Sequence, residues 1–221
     1  PPNKSAHARL SDDVNQRKPE PSVVGFAFNG CDYPDAFCGD YSYQPNRKEN
    51  VDGKVLNERM KWMLRRFELK RSRLPSIIII CRDGISDGQF THAMDELSEL
   101  REAAAEYARS ANRNKPPVHD YAPKFVFVVA TKRHHRRLWE KKTRYGKETV
   151  DNAPAMTAVD TTIVHPTLFE FFLQTHTPLQ GQAKPTRYIV LKDDLNVTQD
   201  ELQSFMAALC FEHQVSANSI S

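Results

Sequence analysis

Hydrophobic and polar positions change period several times along the chain, and each change marks an element. Residues 1–20 carry almost no apolar content and are expected to form a flexible loop. From Pro21 to Asn29 apolar residues thicken and alternate (Val23, Val24, Phe26, Phe28), which predicts a strand. A turn-rich stretch with Gly30, Asp32, Pro34 and Asp35 follows. A second strand, Ala36 to Gln44, is then predicted as its antiparallel partner. From Asp52 the period becomes helical: Leu56, Met60, Met63, Leu64 and Phe67 share one face, and Leu74-Pro75 ends the run. Ser76 to Cys81 is short, β-branched and unalternating, the pattern of a strand covered on both faces.

Gly88 to Arg109 predicts a second helix, with Phe90, Ala93, Met94, Leu97, Leu100, Ala104 and Tyr107 inward and its acids outward. Lys124 to Thr131 predicts another buried strand. The chain then turns basic and stays polar as far as Ala155. Val159 to His165, Leu168 to Thr175 and Arg187 to Leu191 read as further strands. Thr198-Gln-Asp-Glu201 is a capping box, and the helix it opens is expected to reach about His213. The order β-β-α-β-α-β, then a mixed β tail and a helix, predicts an α/β fold with a mainly parallel sheet covered on both sides.

Composition narrows the class. Apolar residues are 39% of 221, and 31 Lys and Arg oppose 28 Asp and Glu, for a formal net charge of +3. Such a balance suits a folded domain rather than a highly charged disordered tail. Apolar runs such as Ile77 to Cys81 are far too short to span a bilayer. No leader opens the chain, which starts at Pro1-Pro2 and reads as a piece of something longer. Cys31, Cys38, Cys81 and Cys210 form no CxxC pair and no zinc-finger spacing, so a reducing compartment, cytoplasm or nucleus, is expected. Neither GxSxG nor a P-loop is present.

Two placements carry chemistry. Arg82-Asp83-Gly84 follows a buried strand directly, and ligand sites in open α/β sheets lie beyond the carboxyl ends of strands. Asp83 is placed either to hold a hard cation or merely to start a turn. Lys132-Arg133-His134-His135-Arg136-Arg137 follows the next buried strand. Between Lys132 and Lys147 there are eight Lys or Arg and one acid, Glu140. Such a cluster can neutralise phosphates, with Trp139 and Tyr145 available to stack on bases; a solvated basic loop is the plain alternative. His134 and His135 are a poor zinc pair, because adjacent residues rarely face one metal.

The segments RDGISDGQF (82–90), KRHHRRLW (132–139), VDTTIVHP (159–166), QTHTPLQGQAKPTRYIVLKDD (174–194) and DELQSF (200–205) run in one order. With PEPSVVGFAFNG (19–30), the chain resembles the PIWI domain of eukaryotic Argonaute proteins. The resemblance implies an RNase H-like fold, with a mixed sheet flanked by helices, and binding of a small guide RNA paired to a complementary target, in gene silencing. Relatives that cut use two Mg2+ (or Mn2+) ions held by three acids and a fourth Asp or His. By position Asp83 corresponds to one metal-binding acid and Glu49 to a glutamate inserted from the loop before the first helix, with Asp52 as its rival. Lys132, Arg133, His176 and Lys184 correspond to guide-backbone contacts. Lys184 stands where many relatives have Arg, and Val215 where many carry a phosphate-binding Arg.

The first catalytic Asp and the fourth ligand are expected outside residues 1–221, so these residues alone are expected to be inactive. The missing first strand is expected to be the central one, flanked by strands 22–29 and 76–81. A silencing Argonaute that binds guide RNA and recruits effector proteins without cutting is the alternative. Neither reading involves a membrane.

Overall fold

The structure, a computed structural model, describes residues 20–45, 50–111 and 121–212. The loop expected over 1–20 lies, apart from Glu20, outside them. Thirteen segments make up the described fold, beginning with the hairpin β1 (Ser22–Phe28) and β2 (Cys38–Gln44), then α1 (Gly53–Arg71) and β3 (Ile77–Asp83). A short 3-10 turn (Asp87–Gln89) leads into α2 (Phe90–Ala111), followed by β4 (Lys124–Thr131). The hairpin β5 (Trp139–Arg144) and β6 (Lys147–Asn152) precedes β7 (Thr157–Val159), β8 (Glu170–Gln174), β9 (Thr186–Asp193) and α3 (Gln199–Leu209).

The main sheet runs β3-β4-β9-β8-β7. Only β3–β4 is parallel; β4–β9, β8–β9 and β7–β8 are antiparallel. The order of elements alone points to a mainly parallel sheet; the sheet is mixed, as the resemblance implies. Apolar runs report that a strand is covered on both faces, which β4 is, and carry no information on its direction. Phe125, Phe127 and Val129 face α1 and α2, where Leu56, Met60, Leu64, Ala93, Leu97 and Leu100 close one core. The alternate residues Val126 and Val128 face Phe171, Leu173, Leu202 and Met206 in the other.

Helix boundaries follow local chemistry. The Asp52 side chain accepts from the Lys54 N–H at 3.0 Å and caps α1, while Ser72 closes it with φ 53° and its N–H on Glu68 O. The capping box Thr198–Glu201 opens α3 as the sequence predicts. Two expectations fail. The strand over 159–165 shrinks to β7, because Thr162 takes φ 63° and the Ile163 N–H turns back to Thr161 O at 2.6 Å. The polar stretch before Ala155 is not all loop: it contains β5–β6, whose residues are mostly solvent-facing and so lack an apolar alternation to read.

The β1–β2 hairpin is not hydrogen-bonded to the main sheet. It is carried on α1 by a side of the helix that the apolar periodicity leaves out. Arg59 pairs with Asp40 and donates to Tyr41 O and Ser42 Oγ, each at 3.0 Å. Trp62 meets the Phe28 ring edge-on at 5.1 Å, and Lys70 pairs with Asp32 at 3.1 Å. Between β1 and β3 lies a cleft of about 990 Å3, lined by Val24, Phe26, Leu64, Ile78 and Ile80 among others.

Candidate nucleic-acid interface

Sheet register brings the predicted residues to one rim. In the parallel pair β3–β4, Asp83 lies opposite Ala130, so Asp83 and the loop beginning at Lys132 leave the sheet together. β9 is antiparallel to β4, with Arg187 opposite Thr131, and its lead-in Lys184-Pro185 therefore reaches the same edge. β8 is antiparallel to β9, with Leu173 opposite Thr186, which returns Thr175-His176 there as well. Four strands thus deliver Asp83, Lys132, Lys184 and His176 to one rim.

The electrostatics show how close this grouping is. Burial holds the Lys132 ammonium below the usual lysine range; the Lys184 charge adds to the shift and Asp83 opposes it. Burial, with the Lys132 charge behind it, likewise holds the His176 imidazole below its ordinary value. A half-buried cation cluster of this kind gains from an incoming polyanion, which relieves its self-repulsion. Arg133 is exposed beside it, its N–H donating to Thr131 Oγ at 3.1 Å. His134 is used differently. Its Nδ1 accepts from the Arg136 N–H at 3.2 Å, leaving Nε2 to donate to Pro185 O at 2.8 Å. Burial and the charges of Lys184, Arg137 and Arg187 favour this neutral form. Both ring nitrogens are thus engaged, and His134 acts as a structural bracket.

Two buried acids that the sequence analysis did not single out hold the rim in place. Glu96, 6% exposed, binds Arg82 through Nε at 2.8 Å and accepts the Val51 N–H at 2.9 Å. It ties the carboxyl end of β3 to α2 and to the approach to α1, correcting the expectation that the acids of α2 face outward. The signal was its place between Ala93, Leu97 and Leu100 on the inward face. Glu170, 1% exposed, pairs with Arg187, which crosses to Asp87 at 2.7 Å in the turn after Asp83. Burial works against the Arg187 charge, but the two carboxylates outweigh it and raise its pKa above the usual guanidinium value. A charge at the head of the buried segment EFFLQ was the mark of such a pair.

The Piwi domain family model matches residues 9–221. The chain belongs to the Piwi domain family. Protein argonaute MEL1 from rice (Oryza sativa subsp. japonica) is 35% identical over 215 residues, 90% of this chain and 19% of the relative. The chain therefore spans about a fifth of that relative's length. The crystal structure of the C-terminal lobe of a budding yeast Argonaute superposes with a TM-score of 0.77 at 27% identity, over 92% of this chain and 41% of the other. The Kluyveromyces polysporus Argonaute solved with a guide RNA gives the same TM-score and identity, over 92% of this chain and 24% of the other. The mixed sheet flanked by helices is the RNase H-like fold of these Argonaute lobes.

Within this Piwi domain Asp83 is the one described member of the metal site that the resemblance implies. Asp83 is exposed at the rim, yet no group of three or more His, Cys, Asp or Glu is arranged there or elsewhere to hold a metal ion. Hard divalent cations need about six oxygen ligands, so Asp83 would hold Mg2+ only together with acids outside the described residues. Glu49 lies outside the described residues, as does Val215. Its rival Asp52 spends a carboxylate oxygen on capping α1.

Proposed function

We propose that this Piwi domain binds the sugar-phosphate backbone of a small guide RNA along the rim formed by Lys132, Arg133, His176 and Lys184, within a longer Argonaute acting in gene silencing. The observation that carries the reading is the convergence of four strand ends on a cationic edge, set by the registers of β3, β4, β9 and β8. A relative of 27% identity solved with a guide RNA supports the ligand class. Contacts of this kind neutralise phosphates and read no sequence, leaving choice of target to base pairing.

The test is RNA affinity as a function of salt. Lys132→Ala with Arg133→Ala is expected to weaken binding of every guide sequence alike and to lower the slope of log affinity against log salt by about 0.7 per lost phosphate contact on a single strand. An unchanged slope would remove the rim from the interface. Cleavage of the paired target is the further step of the proposal, with Asp83 as one of its acids. In an Argonaute that carries this domain and cuts, Asp83→Ala is expected to abolish cleavage while guide affinity stays within about twofold. Equal loss of both would make Asp83 a structural residue.

The second reading keeps the guide-binding rim and discards cutting: the protein silences in cytoplasm or nucleus by recruiting effector proteins. Cleavage by the unsubstituted protein would refute it.

A further inference from the structure

The β5–β6 hairpin ends in a two-residue turn whose chemistry the fold does not explain. Arg144 pairs with Lys147, leaving Tyr145 and Gly146 as the central residues, with φ 52° and 74°. Both positive values define a type I′ turn, in which Asn, Asp and Gly are preferred because left-handed backbone costs them least. A bulky aromatic at the first position is unfavourable. Its ring recovers nothing within the domain, since Tyr145 is 104% exposed, wholly in solvent. A strained residue with no internal contact to offset its cost points to a contact outside the molecule.

The hairpin is fixed beside the cationic rim. At its base the Asn152 amide donates to Gly181 O at 2.9 Å and accepts from the Ala183 N–H at 2.9 Å, in the loop that leads to Lys184. The Gln174 amide, two residues before His176, donates to Ala153 O at 2.5 Å. The two faces of the ribbon differ. On one, Lys142 is matched by Glu140 at 2.9 Å and Asp151 at 3.9 Å. On the other, Lys141 lies opposite Val150, and Trp139 and Val150 are both exposed. An aromatic tip, an exposed aromatic at the base and a lysine between them suit a polyanion whose units carry flat, apolar rings.

We propose that Tyr145 stacks on an unpaired nucleobase of the RNA strand bound along the rim, and that the β5–β6 hairpin is a second contact arm for that strand. This rests on the guide-binding reading above, but the two fail separately. The experiment measures the affinity of the full chain for a labelled single-stranded oligoribonucleotide of mixed sequence, across a salt series. Tyr145→Asn is expected to leave thermal stability equal or higher, because Asn suits the turn, and to weaken binding by about 5- to 100-fold, the range of one base–aromatic stack. The salt slope is expected to stay unchanged, since no charge is removed, and Tyr145→Trp is expected to keep the affinity. Unchanged affinity in Tyr145→Asn, with the slope still falling in the Lys132 and Arg133 double variant, would overturn the stacking proposal and leave the rim intact. A flattened slope in Tyr145→Asn would also overturn it, because the hairpin would then act through charge. Failure of the unsubstituted chain to bind would overturn both.

Discussion

His176 and Lys132 sit at the rim with their charged forms disfavoured by burial and by one another. A phosphate laid against them reverses that preference. For His176 the sign is fixed: its pKa in the free protein lies below the ordinary 6.5, and a bound anion raises it, so binding takes up a proton. RNA affinity is therefore expected to rise by roughly 3- to 10-fold as pH falls from about 7.5 to 5.5. His176→Gln is expected to flatten that profile, and a titration followed by anisotropy checks it; a profile insensitive to the substitution would place His176 away from phosphate. Stability moves the opposite way. His134 and His176 both have depressed values in the folded state, so the stability they contribute is present above about pH 6.5 and is lost as pH falls through the folded values. At this scale the rim was readable because Asp83, Lys132, His176 and Lys184 sit in collinear motifs. Glu96 and Glu170 stood out only by their apolar neighbours; their partners, Arg82 and Arg187, lie far off in sequence and could be named only once the elements were placed.

Among the elements, α1 has two working stripes, and the sequence displayed only one. Leu56, Met60 and Leu64 recur at helical spacing and enter the core, whereas Arg59, Trp62 and Lys70 hold the β1–β2 hairpin through ion pairs and one ring contact. Polar side chains binding a neighbouring element have the same periodicity as side chains in water, so apolar patterning cannot tell them apart. Gly30 shows how tightly the hairpin is fitted. A Cβ there would lie 1.8 Å from the Phe28 ring, which would have to leave its edge contact with Trp62. Gly30→Ala is expected to cost about 1–3 kcal/mol in urea unfolding. Gly25→Ala in the same hairpin, where no atom lies within 4 Å, is the control and is expected to be neutral or slightly stabilising. Equal effects at the two sites would mean that the packing of Phe28 on Trp62 does not hold the hairpin.

Across the whole molecule, the open feature is the cleft between β1 and β3. β4 is bonded on one side to β3 and on the other to β9, whereas among the described residues β3 is bonded only to β4. Its four consecutive isoleucines, Ile77 to Ile80, therefore border a space of about 990 Å3 with one row of backbone donors and acceptors turned toward it. Unpaired edges on apolar strands template pairing with other chains. Amide hydrogen exchange distinguishes an open edge from a filled one. Successive N–H groups of a strand point to opposite sides, so in dilute protein the amides of β3 are expected to alternate between slow exchange, toward β4, and fast exchange, toward the cleft. Those of β4 from Val126 to Thr131 are expected to be slow throughout. If the edge recruits a second copy, the fast set in β3 will slow as protein concentration rises while β4 stays as it was. Uniformly slow exchange along β3 at every concentration would show that the cleft is already occupied by a strand of the same chain.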